Sequence, residues 1–175
     1  LARLKFDGDS AMGRSLAHVM QHAPGVEPAL EMAQWVLPMP LSAQRLRERG
    51  FNQALVLAHK LAKGKTLAQA LLRTRDTAPQ ASLPKAQRLQ NVAGAVVVNP
   101  RYAGALKACN VVLIDDVMTT GSSLHAASLA LRQVGVGHIT AMVFARTDAP
   151  RLSDPEASLG LGENVGHVSH RFGSP

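Results

Sequence analysis

The chain has 175 residues, 46% of them hydrophobic and 18% charged, enough for one domain with a buried core, which excludes a disordered or fibrous chain. Aromatics make up only 3%, which predicts a core of Ala, Val and Leu and disfavours a binder built on stacked aromatic platforms. The net charge of +7 is concentrated: residues 45–107 carry twelve Lys/Arg against two acids, so this stretch fits an anionic partner, nucleic acid or a polyphosphate ligand, with a solvated basic face as the alternative.

The opening LARLKFDGDS has no continuous apolar stretch and reads as neither a secretory signal nor a membrane span. It also lacks a starting methionine, so a piece of a longer protein is expected. Ser10 can cap a helix over 10–23 in which Leu16, Val19, Met20 and Ala23 recur at helical spacing, and Pro24-Gly25 ends it. Trp35, Val36 and Leu37 make a short strand that Pro38 and Pro40 bring to a loop. Ser42 can cap a helix through Arg49, Gly50 breaks it, and Asn52 starts another that ends at Gly64.

Residues 67–73 suit either period, and we read a strand. The polar stretch 74–90 reads as a long mobile loop running into a short helix. Residues 95–98 are a strand followed by an Asn99-Pro100 turn. Residues 111–115 are apolar on both faces, as a central parallel strand requires. A helix over 122–134 and a strand over 138–145 complete a βαβ unit. From Pro150 onward no periodicity is visible, and 151–175 reads as a flexible tail behind a single domain over 1–150.

The segment VVLIDDVMTTGSS, residues 111–123, carries the chemistry. At the carboxyl end of a parallel strand the chain opens into the crevice where α/β proteins bind ligands, so Asp115 and Asp116 can accept hydrogen bonds from vicinal ribose hydroxyls. Thr119, Thr120, Gly121, Ser122 and Ser123 can turn N–H groups and hydroxyls onto one phosphate at a helix N-terminus. No GxxxxGK[ST] motif is present, which argues against a Walker-type nucleotide site.

This segment resembles the phosphoribosyl pyrophosphate signature of type I phosphoribosyltransferases. Together with LPMPLSAQRLRERGFNQALVLAHKLA (37–62) and with Arg73, Arg75, Thr77, Gln80, Arg88 and Asn91 leading into GAVVV, the chain resembles the ComF family of competence-associated, amidophosphoribosyltransferase-like proteins over residues 4–148. The resemblance implies an α/β fold of the type I phosphoribosyltransferase kind: a central, mainly parallel sheet, flanking helices, a mobile loop over 75–88 and a hood, within residues 1–34, that selects the acceptor. It implies ribose binding by Asp115 and Asp116, and 5′-phosphate binding by Val117, Met118, Thr119, Thr120, Gly121, Ser122 and Ser123. Pyrophosphate would lie at Met39, Pro40 and Leu41 with Arg45, Arg49 and Arg88, and magnesium would be bridged through ligand and water with no protein ligand to name. The family commonly begins with a four-cysteine zinc ribbon, which this sequence lacks.

The activity so implied is that of a phosphoribosyltransferase, a pentosyl glycosyltransferase moving the phosphoribosyl group of phosphoribosyl pyrophosphate to a nitrogen acceptor with release of pyrophosphate. No general base is identifiable and the acceptor is open. The alternative is a non-catalytic protein that binds the phosphoribosyl ligand or single-stranded DNA during DNA uptake. A homodimer is compatible with either. The lone Cys109 reads as a packed thiol, allows no internal disulfide and fits a cytoplasmic setting. His18 and His22 stand one helical turn apart but lack a third metal ligand, and His125 reads as structural.

Overall fold

The computed structural model describes residues 16–74, 94–146 and the backbone of 170–171. After helical residues 16–21 come α1 (Val26–Met32), β1 (Trp35–Pro38), α2 (Ala43–Arg49), α3 (Gln53–Ala62) with a 3-10 turn at Lys63–Lys65, and β2 (Leu71–Arg73). There follow β3 (Val96–Val98), α4 (Pro100–Leu106), β4 (Asn110–Met118), α5 (Ser122–Gln133), β5 (His138–Arg146) and β6 (His170–Arg171). The main sheet has the order β1-β4-β5-β6, and β2 pairs with β3 in a separate antiparallel hairpin.

Strand β4 is the centre of the molecule. It runs parallel to β1, from Trp35 opposite Val111 to Pro38 opposite Ile114, and parallel to β5, from Asn110 opposite His138 to Met118 opposite Arg146. Val111, Val112, Leu113 and Ile114 are all at most 1% exposed, as a strand covered on both faces must be. Helix α3 packs on β1 and β4 through Ala54, Leu57 and Ala58, and α5 packs against β3. The buried apolar side chains among the described residues are Ala, Val, Leu, Ile and Met without an aromatic, and Trp35 packs from the core's margin, donating Nε1–H to the Ala105 carbonyl at 3.1 Å. The sparse aromatic content therefore left its expected mark.

Several sequence expectations are corrected. Val19 is 48% exposed, and Ala17 joins Met20 in the core instead. Helix α1 follows Gly25, which was read only as a terminator. Gly25 has a left-handed φ of 82° and offers no side-chain cap, while Pro28 sits in the first turn, where its missing N–H costs nothing. The end of α1 is held from outside, by Lys65 Nζ donating to the Leu30 and Glu31 carbonyls at 2.9 and 3.2 Å, a tertiary contact with no local signature. Of 67–73 only Leu71–Arg73 is strand. Asn99-Pro100 is a helix start: Asn99 accepts from Arg101 N–H at 3.1 Å and Pro100 occupies the first position, where its fixed φ suits a helix. Residues 170–171 add an antiparallel edge to β5 at Thr140 and Ala141. The predicted loop over 74–90 falls, apart from Thr74, outside the described residues.

Candidate functional site

The two partners of β4 end at different levels, and that step builds the site. Pro38 terminates β1 opposite Ile114, where Met39 N–H still donates to the Ile114 carbonyl at 2.8 Å and the chain then turns away through Pro40 and Leu41. On the other side β5 continues alongside, so β4 runs three residues past its expected end at Asp115, reaching Met118. Asp115 and Asp116 therefore stand within a strand paired on one side only, beside the departing Met39–Leu41 turn, and not at a free strand end.

Neighbouring side chains of a regular strand face opposite ways, yet these two carboxyl groups converge. Asp115 Oδ1 accepts the Asp116 N–H at 3.0 Å and Asp116 Oδ1 accepts the Val117 N–H at 2.9 Å, so both fold back along the backbone. Burial pushes the Asp115 carboxyl up from 3.8 to about 7, helped by the charge of Asp116 and a hydrogen bond between the two side chains. The Asp116 backbone N–H and the charge of Arg73 pull it back down. A largely buried carboxyl poised near neutrality beside a second acid is the kind of group that functional sites hold.

Cations reach the pair from two elements. Helix α2 begins at Ser42, whose buried Oγ accepts the Arg45 N–H at 3.2 Å, and stops at Gly50 with φ 82°; both roles were expected. Its last residue, Arg49, places Nη1 at 3.4 Å from Asp116 Oδ2 and 3.3 Å from Gln53 Oε1. Arg45, one turn earlier on the same side of α2, is exposed. Arg73 comes from the end of β2. The sequence reading placed Arg73 among the residues that carry the family resemblance but gave it no role, and it missed Gln53, which stands in no local pattern that marks a site.

Asn52 does more than the expected cap. Its Oδ1 accepts the Leu55 N–H at 3.3 Å, starting α3, and its Nδ2 donates to the Met39 carbonyl at 3.0 Å, tying the turn to that helix. With its N–H on Ile114 and its carbonyl on Asn52, Met39 has both backbone groups occupied and its side chain buried. Leu41 supplies the remaining N–H of the turn, since Pro40 has none.

The phosphate segment follows. Val117 is 43% exposed, and Thr119 and Thr120 are exposed. Gly121, at φ 74° and ψ 0°, is the N-cap of α5, its carbonyl accepting the His125 N–H at 2.9 Å. The Thr120 and Ser122 hydroxyls lie 2.8 Å apart, and the Thr120 hydroxyl also accepts the Ser122 N–H at 3.4 Å. A 12-residue helix with its N-terminus aimed past Gly121 adds positive dipole to this hydroxyl-rich turn. Met118 side-chain atoms lie against Gly121, and Ser123 opens the first turn of α5. The structure thus brings together Met39–Leu41, Arg49, Asp115, Asp116 and the 117–123 turn along one strand end, while Arg88 lies outside the described residues.

Curated proteins are similar to the chain in sequence. Competence protein F of Haemophilus influenzae is 31% identical over 154 residues, 83% of this chain and 66% of that protein. The chain belongs to the ComF family. Competence protein ComFC of Bacillus subtilis is 36% identical over 100 residues (57% of this chain, 39% of that protein), and DNA utilization protein YhgH of Escherichia coli 29% over 141 residues (79% and 60%). This ComF chain spans between 39% and 66% of these relatives' lengths. No family model matches it. Among solved structures, the glutamine phosphoribosylpyrophosphate amidotransferase of B. subtilis aligns with a TM-score of 0.45 at 19% identity, covering 78% of this chain and 26% of that one.

Proposed function

We propose that this ComF chain binds phosphoribosyl pyrophosphate at the end of β4 and transfers its phosphoribosyl group to a nitrogen acceptor. The observation that carries the reading is the ordered sequence of unlike groups along one strand end. Arg49 and the Met39–Leu41 turn stand on one side, two converging carboxylates in the middle and a hydroxyl-rich helix N-terminus beyond. Pyrophosphate calls for cations, ribose hydroxyls for acceptors, and a terminal phosphate for N–H and O–H donors. In this reading the protein's work is placement and charge stabilisation as pyrophosphate leaves the anomeric carbon and an oxocarbenium-like centre forms.

Magnesium fits the donor set as an ion carried mainly by the ligand. Two carboxylates offer hard oxygen donors, while among the described residues no group of three His, Cys, Asp or Glu stands together. Asp115 and Asp116 would face it across water and ribose oxygens. When bound, it would neutralise charge building on the leaving pyrophosphate.

Calorimetric titration with phosphoribosyl pyrophosphate and magnesium, against ribose 5-phosphate, tests the binding premise. Saturable binding that is lost in the Asp115→Asn, Asp116→Asn double variant is expected, and no binding of either ligand would sink it. Pyrophosphate release on adding nucleobases or amines then tests transfer.

A second reading, a single-strand DNA binder in DNA uptake, is favoured by the relatives' competence and DNA-utilization names and by the basic stretch 45–107. It predicts affinity for single-stranded DNA that falls steeply with salt and survives the double carboxylate variant. Insensitivity to salt would remove it.

Among the described residues no helix is long and apolar enough to cross a membrane.

A further inference from the structure

We infer that Arg49 makes the site discriminate pyrophosphorylated ribose from plain ribose phosphates, by occupying Asp116 until a pyrophosphate draws it away. The inference rests on the reading just given and names what decides between its two closest ligands.

Arg49 closes α2 beside the acid pair, and its Nη1 is shared between Asp116 Oδ2 at 3.4 Å and Gln53 Oε1 at 3.3 Å. Both contacts are long for charge-assisted hydrogen bonds, which run shorter when well made. The Arg49 side chain is 44% exposed and that of Asp116 27%, so the pair is held loosely and in reach of water. Asp116 Oδ1 is meanwhile engaged with the Val117 N–H, so Oδ2 is the atom open to a ribose hydroxyl, and it is the atom Arg49 holds.

Ribose binding at Asp116 must therefore displace a cation. Ribose 5-phosphate brings its phosphate to the far end of the site, beside Gly121, and gives Arg49 nothing in exchange. A pyrophosphate on the anomeric carbon lies on the Arg49 side and offers the guanidinium a doubly charged partner that it can grip with two N–H groups. Gln53, on the first turn of α3, keeps one contact with Arg49 and limits how far it swings. One ligand thus pays for breaking the pair and the other replaces it.

The test is titration of the full chain, as wild type, Arg49→Gln, Asp116→Asn and the double variant, with phosphoribosyl pyrophosphate plus magnesium and separately with ribose 5-phosphate. Releasing Asp116 from a half-exposed ion pair is expected to tighten ribose 5-phosphate by about two- to fivefold in Arg49→Gln. Losing the charged contact should weaken phosphoribosyl pyrophosphate by about tenfold or more. Adding Arg49→Gln to Asp116→Asn should give ribose 5-phosphate no further gain, and Arg49→Lys, which retains the charge but not the two-pronged grip, should recover only part of the discrimination. Equal weakening of both ligands in Arg49→Gln, with the wild type still binding, overturns the inference and leaves the proposed function standing. A wild type that binds neither ligand overturns both.

Discussion

Asp115 combines a chemical task with a stability cost. Its carboxyl ionises near 3.8 in the unfolded chain and near 7 in the folded one, so between these values the native state keeps a proton that the unfolded state has released. The stability of the fold therefore falls as pH rises from about 4 to about 7, and above that window the full cost remains. Asp115→Asn removes the titration while leaving an oxygen for the Asp116 N–H. The variant should be more stable than wild type at about pH 8, by roughly 2 kcal/mol once water around a half-buried carboxylate is allowed for, with the gain vanishing near pH 4. Urea unfolding midpoints at the two pH values measure this, and equal midpoints at both would contradict the burial of the group. The same titration should govern ligand. If ribose hydroxyls donate to an ionised Asp115, affinity for phosphoribosyl pyrophosphate rises between about pH 6 and pH 8 in the wild type, and Asp115→Asn flattens the profile.

At the scale of elements, the joints matter more than the elements themselves. Asn52 both caps α3 and holds the Met39 carbonyl. Asn52→Ala should cost about 1–2 kcal/mol through the lost cap, whereas Asn52→Asp keeps the cap acceptor and loses only the donor to Met39. A thermal melt that drops for Ala but barely for Asp, with phosphoribosyl pyrophosphate binding weakened in both, would separate the cap from the tether. Gly121 is the second joint. At φ 74° a Cβ would meet only the Met118 side chain, Sδ at an ordinary 3.5 Å and Cγ at 4.0 Å, so the penalty for Gly121→Ala is backbone strain, about 1–2 kcal/mol, and not a clash. Melting should report that loss, and phosphate-bearing ligands should bind more weakly because the turn before α5 is re-aimed. These joints also mark where sequence was readable. Ser42, Gly50 and Asn52 announce their roles through chemistry that acts within a few residues, and so α2 was found with both ends and α3 and α5 with their starts, whereas α3 stops at Ala62 and passes into the 3-10 turn that holds Gly64, its expected end, and α5 stops at Gln133, one residue short of the expected Val134. Helix α1 and the engagement of Arg49 with Asp116 depend on groups dozens of residues away, Lys65 in one case and β4 in the other, and no local pattern encodes such partners. The two acids were found by their place after an apolar run, but the length of β4 was missed because β5 determines it.

In the whole molecule, core and site are consecutive stretches of one strand. Val111 to Ile114 are closed in by β1, β5 and α3, and one residue later β1 has ended and the chain carries its charged groups. A parallel strand covered on both faces can hold no ionised group cheaply, so the end of β1 at Pro38 is what lets acids follow directly on the most buried part of the chain. Substitutions on the two sides of that boundary should move stability and binding in opposite senses. Leu113→Ala opens a cavity at a position with no solvent exposure and should cost about 3–5 kcal/mol. Its carboxylates, turn and cations are untouched, so the fraction that remains folded at low temperature should bind phosphoribosyl pyrophosphate within about twofold of wild type, as expected for sites whose effects are nearly independent. Two residues later Asp115→Asn should gain stability at neutral pH and bind the ligand more weakly, the trade that a functional group strained by burial makes. Denaturant midpoints and calorimetric affinities for the two variants, taken together, provide the check. If Leu113→Ala loses binding in proportion to stability even where it is fully folded, the strand end is not pre-formed by β1 and β5, and the site must be assembled by the ligand itself.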